Sequence, residues 1–341
     1  MDLTAAFDRV PGYLDAATCG LPSRATADAL RDALDTWQAG KADLGVYDEA
    51  VAASRDAYAR IVGVGPEAVA IGAQASALVG IVAASLPDEA QVLAVEGDFT
   101  SVTFPFEAHA DRGVTVRYVP VERLADEVRD STDLVAYSFV QSRDGRVASP
   151  AVQEAAAAHG ARTLCDITQA AGWLPVDAGA HDITVCAAYK WLAAPRGTAF
   201  LTVRPDAELR PTGAGWYAGQ DVWGSVYGPA MRLADDARRF DVSPAWLCWV
   251  GAAPVLEAFA TADLAQVHAH DVALANAFRA GVGLDPSDSA IVRLPDDAVG
   301  TLRARLAEHG CRTAGRGGGV RLAFHLWNDE DDVARAVAAV S

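Results

Sequence analysis

Between Ala68 and Val203 the chain repeats one pattern: a short run rich in apolar and β-branched residues, a turn, then a stretch with helical spacing. The runs are Ala68–Gly72, Gln91–Glu96, Val114–Val121, Leu134–Val140, Arg162–Ile167, Ile183–Ala187 and Thr198–Val203. Runs of this length read as strands covered on both faces, and the helical stretches between most of them supply the crossovers that parallel strands require. The spacing therefore predicts an α/β fold with a mainly parallel seven-stranded sheet and ligands at the carboxyl ends of its strands. Helical patterns over Ser23–Trp37 and Tyr47–Ile61 place a layer before the sheet. After Val203 the pattern changes. A loop rich in Gly, Trp and Tyr (Gly213–Gly228) leads to Ser243-Pro244, a helix start, and to an apolar helix over Ala245–Ala260. Helices near Leu264–Ala280, Asp296–His309 and Asp329–Val340, with strands near Ala290–Leu294 and Val320–Leu326, predict a smaller α+β domain. Residues 1–240 are expected to form the large domain with an N-terminal arm, and residues 241–341 the small one.

Charge narrows the range of partners. A formal net charge of -17 opposes binding to nucleic acid or to an anionic membrane, both of which repel such a chain at long range. The longest apolar stretches, Ala77–Leu86 and Trp246–Leu256, fall short of the roughly 18 residues a spanning helix needs. Met1 is followed by Asp2 and soon by Asp8, without the basic and apolar regions of a secretory signal. The 5 cysteines are scattered with no C-x-x-C pair, so neither a disulfide framework nor a metal site is expected. A cytoplasmic protein with reduced thiols is the expectation. His268 and His270, two apart on a helical pattern, do not face one ligand and read as surface.

Chemistry is concentrated at the strand ends. Lys190, in "VCAAYKWLAAPRG", emerges where a buried strand meets a loop. Taken alone it reads as a lysine whose stem covers apolar surface while the ammonium stays in water. Asp166 ends the strand in "ARTLCDITQAAGWLPVD", and Gln169 follows three residues later. Taken alone, Asp166 or Thr168 reads as an N-cap of a following short helix. Together they admit a sharper reading. A lysine that condenses with an aldehyde and a carboxylate that keeps a pyridinium nitrogen protonated are the two groups pyridoxal phosphate asks of a protein. Gly72-Ala73-Gln74-Ala75-Ser76 follows a strand and opens a helix, presenting backbone N–H groups to a phosphate, although Gly and Ser also occur in such turns for geometry alone. Phe99, just after the second strand in "VEGDFTSVTFPF", offers a ring for stacking or a core contact.

The order of these pieces resembles the class V aminotransferases, the fold-type I pyridoxal-phosphate family that includes cysteine desulfurases and kynureninases. The resemblance runs through "YLDAATCGLPS", "GAQAS", "DFTSVTFPF", "DITQAAGWLPVD", "AAYKWLAAPRG", "RRFDVSP" and "VRLAFHLWNDEDDV". It implies a fold-type I PLP-dependent transferase in which Lys190 holds the cofactor, Asp166 pairs with its ring nitrogen and Gln169 bonds its phenolic oxygen. Gln74, Ala75 and Ser76 would hold phosphate, Phe99 would stack on the ring, and Tyr189 would reach the phosphate. Ser243 would reach a neighbouring subunit's phosphate, which implies a homodimer with shared active sites. Arg321 would bind the α-carboxylate of an amino-acid substrate through a bidentate pair, its alternative fate being a solvated strand residue.

Within the family, desulfurases carry a nucleophilic cysteine before the C-terminal arginine strand. Here "GCRTAGRGGGVRLAFH" has none: Cys311 precedes that point and is expected to end a strand, and Gly317–Gly319 reads as a tight hairpin. Persulfide chemistry is disfavoured accordingly. The remaining motifs resemble the carbon–sulfur lyase branch whose substrates end in a trimethylammonium betaine. Trp216, Tyr217, Trp223 and Tyr227 would offer cation–π faces to such a group, or else pack in the core or a dimer contact. His325, two strand positions from Ala323 near Arg321, would approach the substrate. The alternatives are a kynureninase-like, desulfurase-like or sulfinate-lyase-like enzyme and an inactive binding relative. A dinucleotide-dependent oxidoreductase lacks its G-x-G-x-x-G turn.

Overall fold

The computed structural model describes residues 3–228 and 230–341. Helices α1 (Arg24–Gln38) and α2 (Leu44–Ile61) come first, capped by Ser23 and Asp43, whose side chains accept from the Thr26 and Gly45 N–H groups. There follow β1 (Val69–Gly72), α3 (Ala75–Ser85), β2 (Gln91–Val95), α4 (Thr100–Glu107), β3 (Thr115–Val119), β4 (Leu134–Ser138), α5 (Ala151–Ala158), β5 (Arg162–Asp166), β6 (Ile183–Ala187) and β7 (Ala199–Val203). These strands form a seven-stranded sheet in the order β1-β7-β6-β5-β4-β2-β3. All neighbouring pairs are parallel except those of β7, which runs antiparallel to both β1 and β6. The seven strands expected from the repeated pattern are thus all present.

Side chains alternate across the sheet, so each face has its own core. Leu93, Val95, Val135, Tyr137, Cys165, Cys186 and Phe200 pack with α2 and with α6 (Trp246–Ala260). Val92, Leu134, Ala136, Leu164, Val185 and Leu201 pack on the other side, against α3 and α4. Beyond α6 lie α7 (Leu264–Gly281), β8 (Ile291–Pro295), α8 (Thr301–Glu308), β9 (Ala314–Arg316), β10 (Gly319–Ala323) and α9 (Glu330–Val340). Strands β8, β10 and β9 form a separate three-stranded antiparallel sheet, the core of a smaller C-terminal domain. No single helix among the described residues is long and apolar enough to cross a membrane.

Three local expectations change. The helix expected from Asp296 begins only at Thr301, because the Asp296 carboxylate accepts from the Leu302 and Arg303 N–H groups and Asp297 accepts from Thr301, making both aspartates caps instead of helical residues. Cys311 does not end a strand: it lies buried in the connection after α8, and its N–H donates to the Leu306 carbonyl. The strand expected through Leu326 stops at Ala323, where the His325 N–H turns back to Asn328 Oδ1. The glycine hairpin is present, with Gly317 and Gly318 at φ +50° and +71° between β9 and β10, a pair of left-handed positions that suits a two-residue turn.

The N-terminal segment ties the parts together. Tyr13 and Asp15 form parallel bridges with Arg312 and Ala323, and Leu14 is buried in the small domain's core. The loop that follows then crosses to the large sheet, where the Gly20 N–H donates to the Tyr189 carbonyl at 2.9 Å.

Candidate active site

The carboxyl ends of β4, β5 and β6 open on one cavity of about 340 Å³, within the roughly 300–1,000 Å³ of small-molecule sites. The turn after β1, the start of α4 and the loop before β7 close it. Its lining includes Lys190, Asp166, Gln169, Tyr189, Phe99 and the Gln74–Ser76 turn, so residues 116 positions apart meet at one place. Because β7 is antiparallel, its entry residues Arg196 and Gly197 reach the same end of the sheet.

Asp166 is fully enclosed. Its Oδ1 accepts from the Thr168 N–H at 2.8 Å, while Thr168 Oγ1 accepts from the Ala187 N–H at 2.9 Å and so ties the turn to β6. No short helix follows; the aspartate closes a turn instead. Desolvation pushes its carboxyl above the usual range, with Thr168 and the Lys190 ammonium only partly offsetting it. A buried carboxylate whose pKa is raised by desolvation is stabilised as the anion by a further cationic donor placed against it.

Lys190 is 6% exposed. Burial pushes its ammonium down to about 8, opposed by Asp166 and reinforced by Arg321 and Arg316. The amine therefore does not snorkel: Nζ lies 5.1 Å from the centre of the Phe99 ring and 5.8 Å from that of Tyr189. Its backbone is held by the next residues. Trp191 is fully buried, its indole donates to Gln169 Oε1 at 2.8 Å, and Ala193 takes φ +53° so that its N–H reaches the Lys190 carbonyl at 3.0 Å. That left-handed alanine is local strain of about 1 kcal/mol, accepted where the chain must turn sharply behind the lysine.

At the opposite wall Gln74 stands at the N-cap of α3 without a side-chain cap bond, which leaves the first N–H groups of the helix facing the cavity. Gly72 allows this close approach, since a Cβ there would meet Leu78 at 2.7 Å. Phe99 is 45% exposed on the cavity side. Asp98, buried beside it, accepts from the Phe99 N–H at 2.7 Å and from Ser138 Oγ at 2.6 Å, and so sets where the ring stands.

The remaining predicted residues are placed differently. Arg321 is 1% exposed and lies behind the cavity wall, donating to Ser142 and to Thr18 Oγ1. Gln169 donates from Nε2 to the Ala17 carbonyl and to Ser142 Oγ, both at 3.0 Å. Ser243 is exposed and away from this chain's own cavity. Trp216 and Tyr217 do not line it either: Tyr217 is buried with its hydroxyl donating to Asp48, and Trp216 packs on Trp223 at 5.2 Å. His325, expected near the substrate, is fully buried between Asp271 Oδ2 at 2.6 Å and the Trp191 carbonyl at 2.8 Å, because the strand ends before it and the turn at Asn328 swings it inward. His268 is partly buried, stacked on Trp173.

Ser138, Ser142, Thr168 and Arg196 also line the site, with Asp98 supporting Phe99 and Ser138 from behind. Thr168 had a signal in the strand-end turn it shares with Asp166. Ser142 had none, since its partner Arg321 is 179 residues away.

The cavity fits pyridoxal phosphate on its own chemistry. It joins a desolvated amine, a buried carboxylate, an exposed ring and a helix start with free N–H groups. Comparison with known proteins agrees. Residues 46–295 match the family model Aminotransferase class-V. An uncharacterized aminotransferase of Bacillus subtilis, YcbU, is 26% identical over 310 residues, covering 84% of this chain and 82% of that protein. Isopenicillin N epimerase of Streptomyces clavuligerus is 29% identical over 224 residues, covering 57% of this chain and 55% of the epimerase. Among solved structures, the cystine C-S lyase C-DES bound to its product cysteine persulfide superposes with a TM-score of 0.86 at 20% identity, over 96% of each chain. The Escherichia coli cysteine desulfurase CsdA gives 0.84 at 16%, over 99% of this chain and 96% of CsdA. A further C-DES structure carries glycine covalently linked to its PLP cofactor. The chain belongs to the class-V aminotransferase family, has the fold-type I architecture, and its cofactor is pyridoxal phosphate.

Proposed function

We propose that the chain is a carbon–sulfur lyase that cleaves hercynylcysteine sulfoxide by β-elimination, releasing ergothioneine's sulfenic acid, pyruvate and ammonia. The reading places the protein in ergothioneine biosynthesis, in the cytoplasm, and working as a homodimer. The observation that carries it is the pairing of a desolvated Lys190 amine with a buried Asp166 in one cavity whose nearby β9–β10 hairpin holds arginine and glycine and no cysteine. Cysteine-persulfide formation from that hairpin is thereby disfavoured. The C-S lyase likeness of C-DES is consistent with the reading and bears on fold alone.

Pyridoxal phosphate, when bound, supplies an electron sink that makes the α-proton of an amino acid acidic. In this reading Lys190 would hold the cofactor, and its Nζ, freed when the substrate's amine takes that place, would take the substrate's Cα proton. An amine pushed down to about 8 has a usable neutral fraction near neutral pH, which an ordinary lysine lacks. Asp166, whose Oδ1 accepts from the Thr168 N–H, would keep the ring nitrogen positive. Phe99 would stack on the ring, while Gln74, Ala75, Ser76 and Tyr189, which line the cavity with it, would hold phosphate. Gln169, which donates to Ser142 Oγ, would hold the phenolic oxygen, and Arg321, which also donates to Ser142 Oγ, would receive the α-carboxylate. Loss of the Cα proton expels the sulfur as a sulfenate, and the three-carbon fragment takes up water to give pyruvate and ammonium. Ser243 would reach the neighbouring subunit's phosphate.

Steady-state turnover tests the proposal. The holoenzyme should release pyruvate from hercynylcysteine sulfoxide far faster than it releases sulfide from cysteine or alanine from kynurenine, and Lys190→Ala should abolish the reaction. Preference for cysteine with sulfide release would assign the desulfurase branch instead, and preference for kynurenine the kynureninase branch.

A further inference from the structure

At the mouth of the cavity several arginines converge with little acidic compensation, in a chain whose net charge is -17. Arg196 lines the cavity and its guanidinium lies 5.1 Å over the Tyr189 ring. Arg316, on β9, donates to Thr18 Oγ1 at 3.3 Å, and Arg321, on β10, donates to the same oxygen at 2.8 Å. Arg312 lies 5.6 Å over the ring of Tyr13, whose hydroxyl donates to the Cys19 carbonyl at 2.8 Å. Arg196, Arg312 and Arg316 make no ion pair among the described residues. The carboxylate in the cluster is the buried Asp15, 3.9 Å from Arg321; burial raises its pKa, and the Thr18 hydroxyl with the charges of Arg321, Arg316 and Arg312 opposes that rise.

Asp15 is one carboxylate set among the charges of Arg321, Arg316 and Arg312, so positive charge remains in excess there and favours a further anion. An exposed arginine is normally content in water, but Arg316 is tethered to the loop that also binds the lysine segment: Gly20 donates to the Tyr189 carbonyl, and Ala17 accepts from Gln169. Its charge consequently reaches both Lys190 and Tyr189. Arg321 is committed to the wall behind Ser142, so it can meet one carboxylate at most, which leaves Arg316 and Arg196 facing the solvent side.

We infer that Arg316 and Arg196 form a second anion subsite at the cavity mouth, which takes a carboxylate on the far side of the substrate's sulfur. The preferred substrates are then cysteine S-conjugates whose S-substituent is itself acidic. This rests on the lyase reading for the position of the sulfur, and it deepens that reading, because a betaine carries a carboxylate beside its ammonium. The aromatic loop at Trp216 does not line this cavity, so within one chain the anionic end of such a substrate is the end with a receptor.

The test compares S-(2-carboxyethyl)-L-cysteine sulfoxide with its carboxamide, which has the same shape without the charge. Dissociation constants of the holoenzyme come from the change in cofactor absorbance, and kcat/KM from pyruvate release. Charge-assisted bonds predict a preference for the acid of roughly ten- to a hundredfold in both. Arg316→Met and Arg196→Met should each cut the acid-to-amide ratio about tenfold, and Arg316→Lys should keep part of it. A ratio near one in the unaltered enzyme, or one unchanged in both methionine variants, overturns the subsite. Pyruvate from both compounds at equal efficiency overturns it while leaving the lyase reading intact. A binding preference that the variants abolish, with no pyruvate from either compound, supports the subsite and sinks the lyase reading.

Discussion

Replacing Lys190 with methionine should make the cofactor-free protein more stable. Methionine fills the same channel without a charge, and the wild-type residue is 6% exposed with its ammonium pushed from the ordinary 10.5 down to about 8. That drop corresponds to about 3 kcal/mol at 1.36 kcal/mol for each tenfold change. Burial penalises only the charged form. The cost is therefore complete below pH 8, where folded and unfolded chains both carry the proton, and it is relieved as pH rises through 8 toward 10.5, where neither does. Urea unfolding of the apo proteins, followed by tryptophan fluorescence, should show Lys190→Met ahead by up to about 3 kcal/mol at pH 7 and nearly level with wild type above pH 10. Equal stability at pH 7, or an advantage that does not shrink with rising pH, would mean that the amine is solvated or neutralised by Asp166, and the physical basis for its reactivity would be gone. The stability lost is the counterpart of function, since a solvated lysine would be protonated at neutral pH and unable to act as nucleophile or base.

Other consequences follow from the same structure. Asp166→Asn should preserve the fold and cofactor capture yet lower turnover by about 100-fold or more, because an amide cannot keep the ring nitrogen positive; kcat/KM and the cofactor spectrum report it. Arg55→Leu should cost about 3 kcal/mol in urea unfolding, since it strips Asp241 of its buried partner next to the Ile71 N–H that the carboxylate also holds. His325→Ala should destabilise by about 2 kcal/mol by freeing the Trp191 carbonyl and Asp271, with substrate preference unchanged; an altered preference among S-conjugates would restore His325 to the substrate pocket. Gly20→Ala should impair cofactor capture, because its Cβ would sit 2.1 Å from the Lys190 carbonyl oxygen, and the absorbance of the reconstituted protein measures this.

The chain's local periodicity was enough to determine the α/β class, all seven strands of the large sheet and the helix that follows β1, because short apolar runs between turn residues admit few other structures. The same reasoning pointed to Lys190, Asp166, Phe99 and the Gln74–Ser76 turn, which line one cavity at the strand ends where a parallel sheet presents its ligands. Tertiary structure decided the rest. It reversed β7 so that Arg196 reaches the cavity, set Arg321 behind Ser142, turned His325 into the core, and carried Tyr217 onto Asp48 and away from the site. Each of these depends on contacts between segments remote in sequence. Periods of two and 3.6 residues report which face of an element is apolar, not which distant element will cover it.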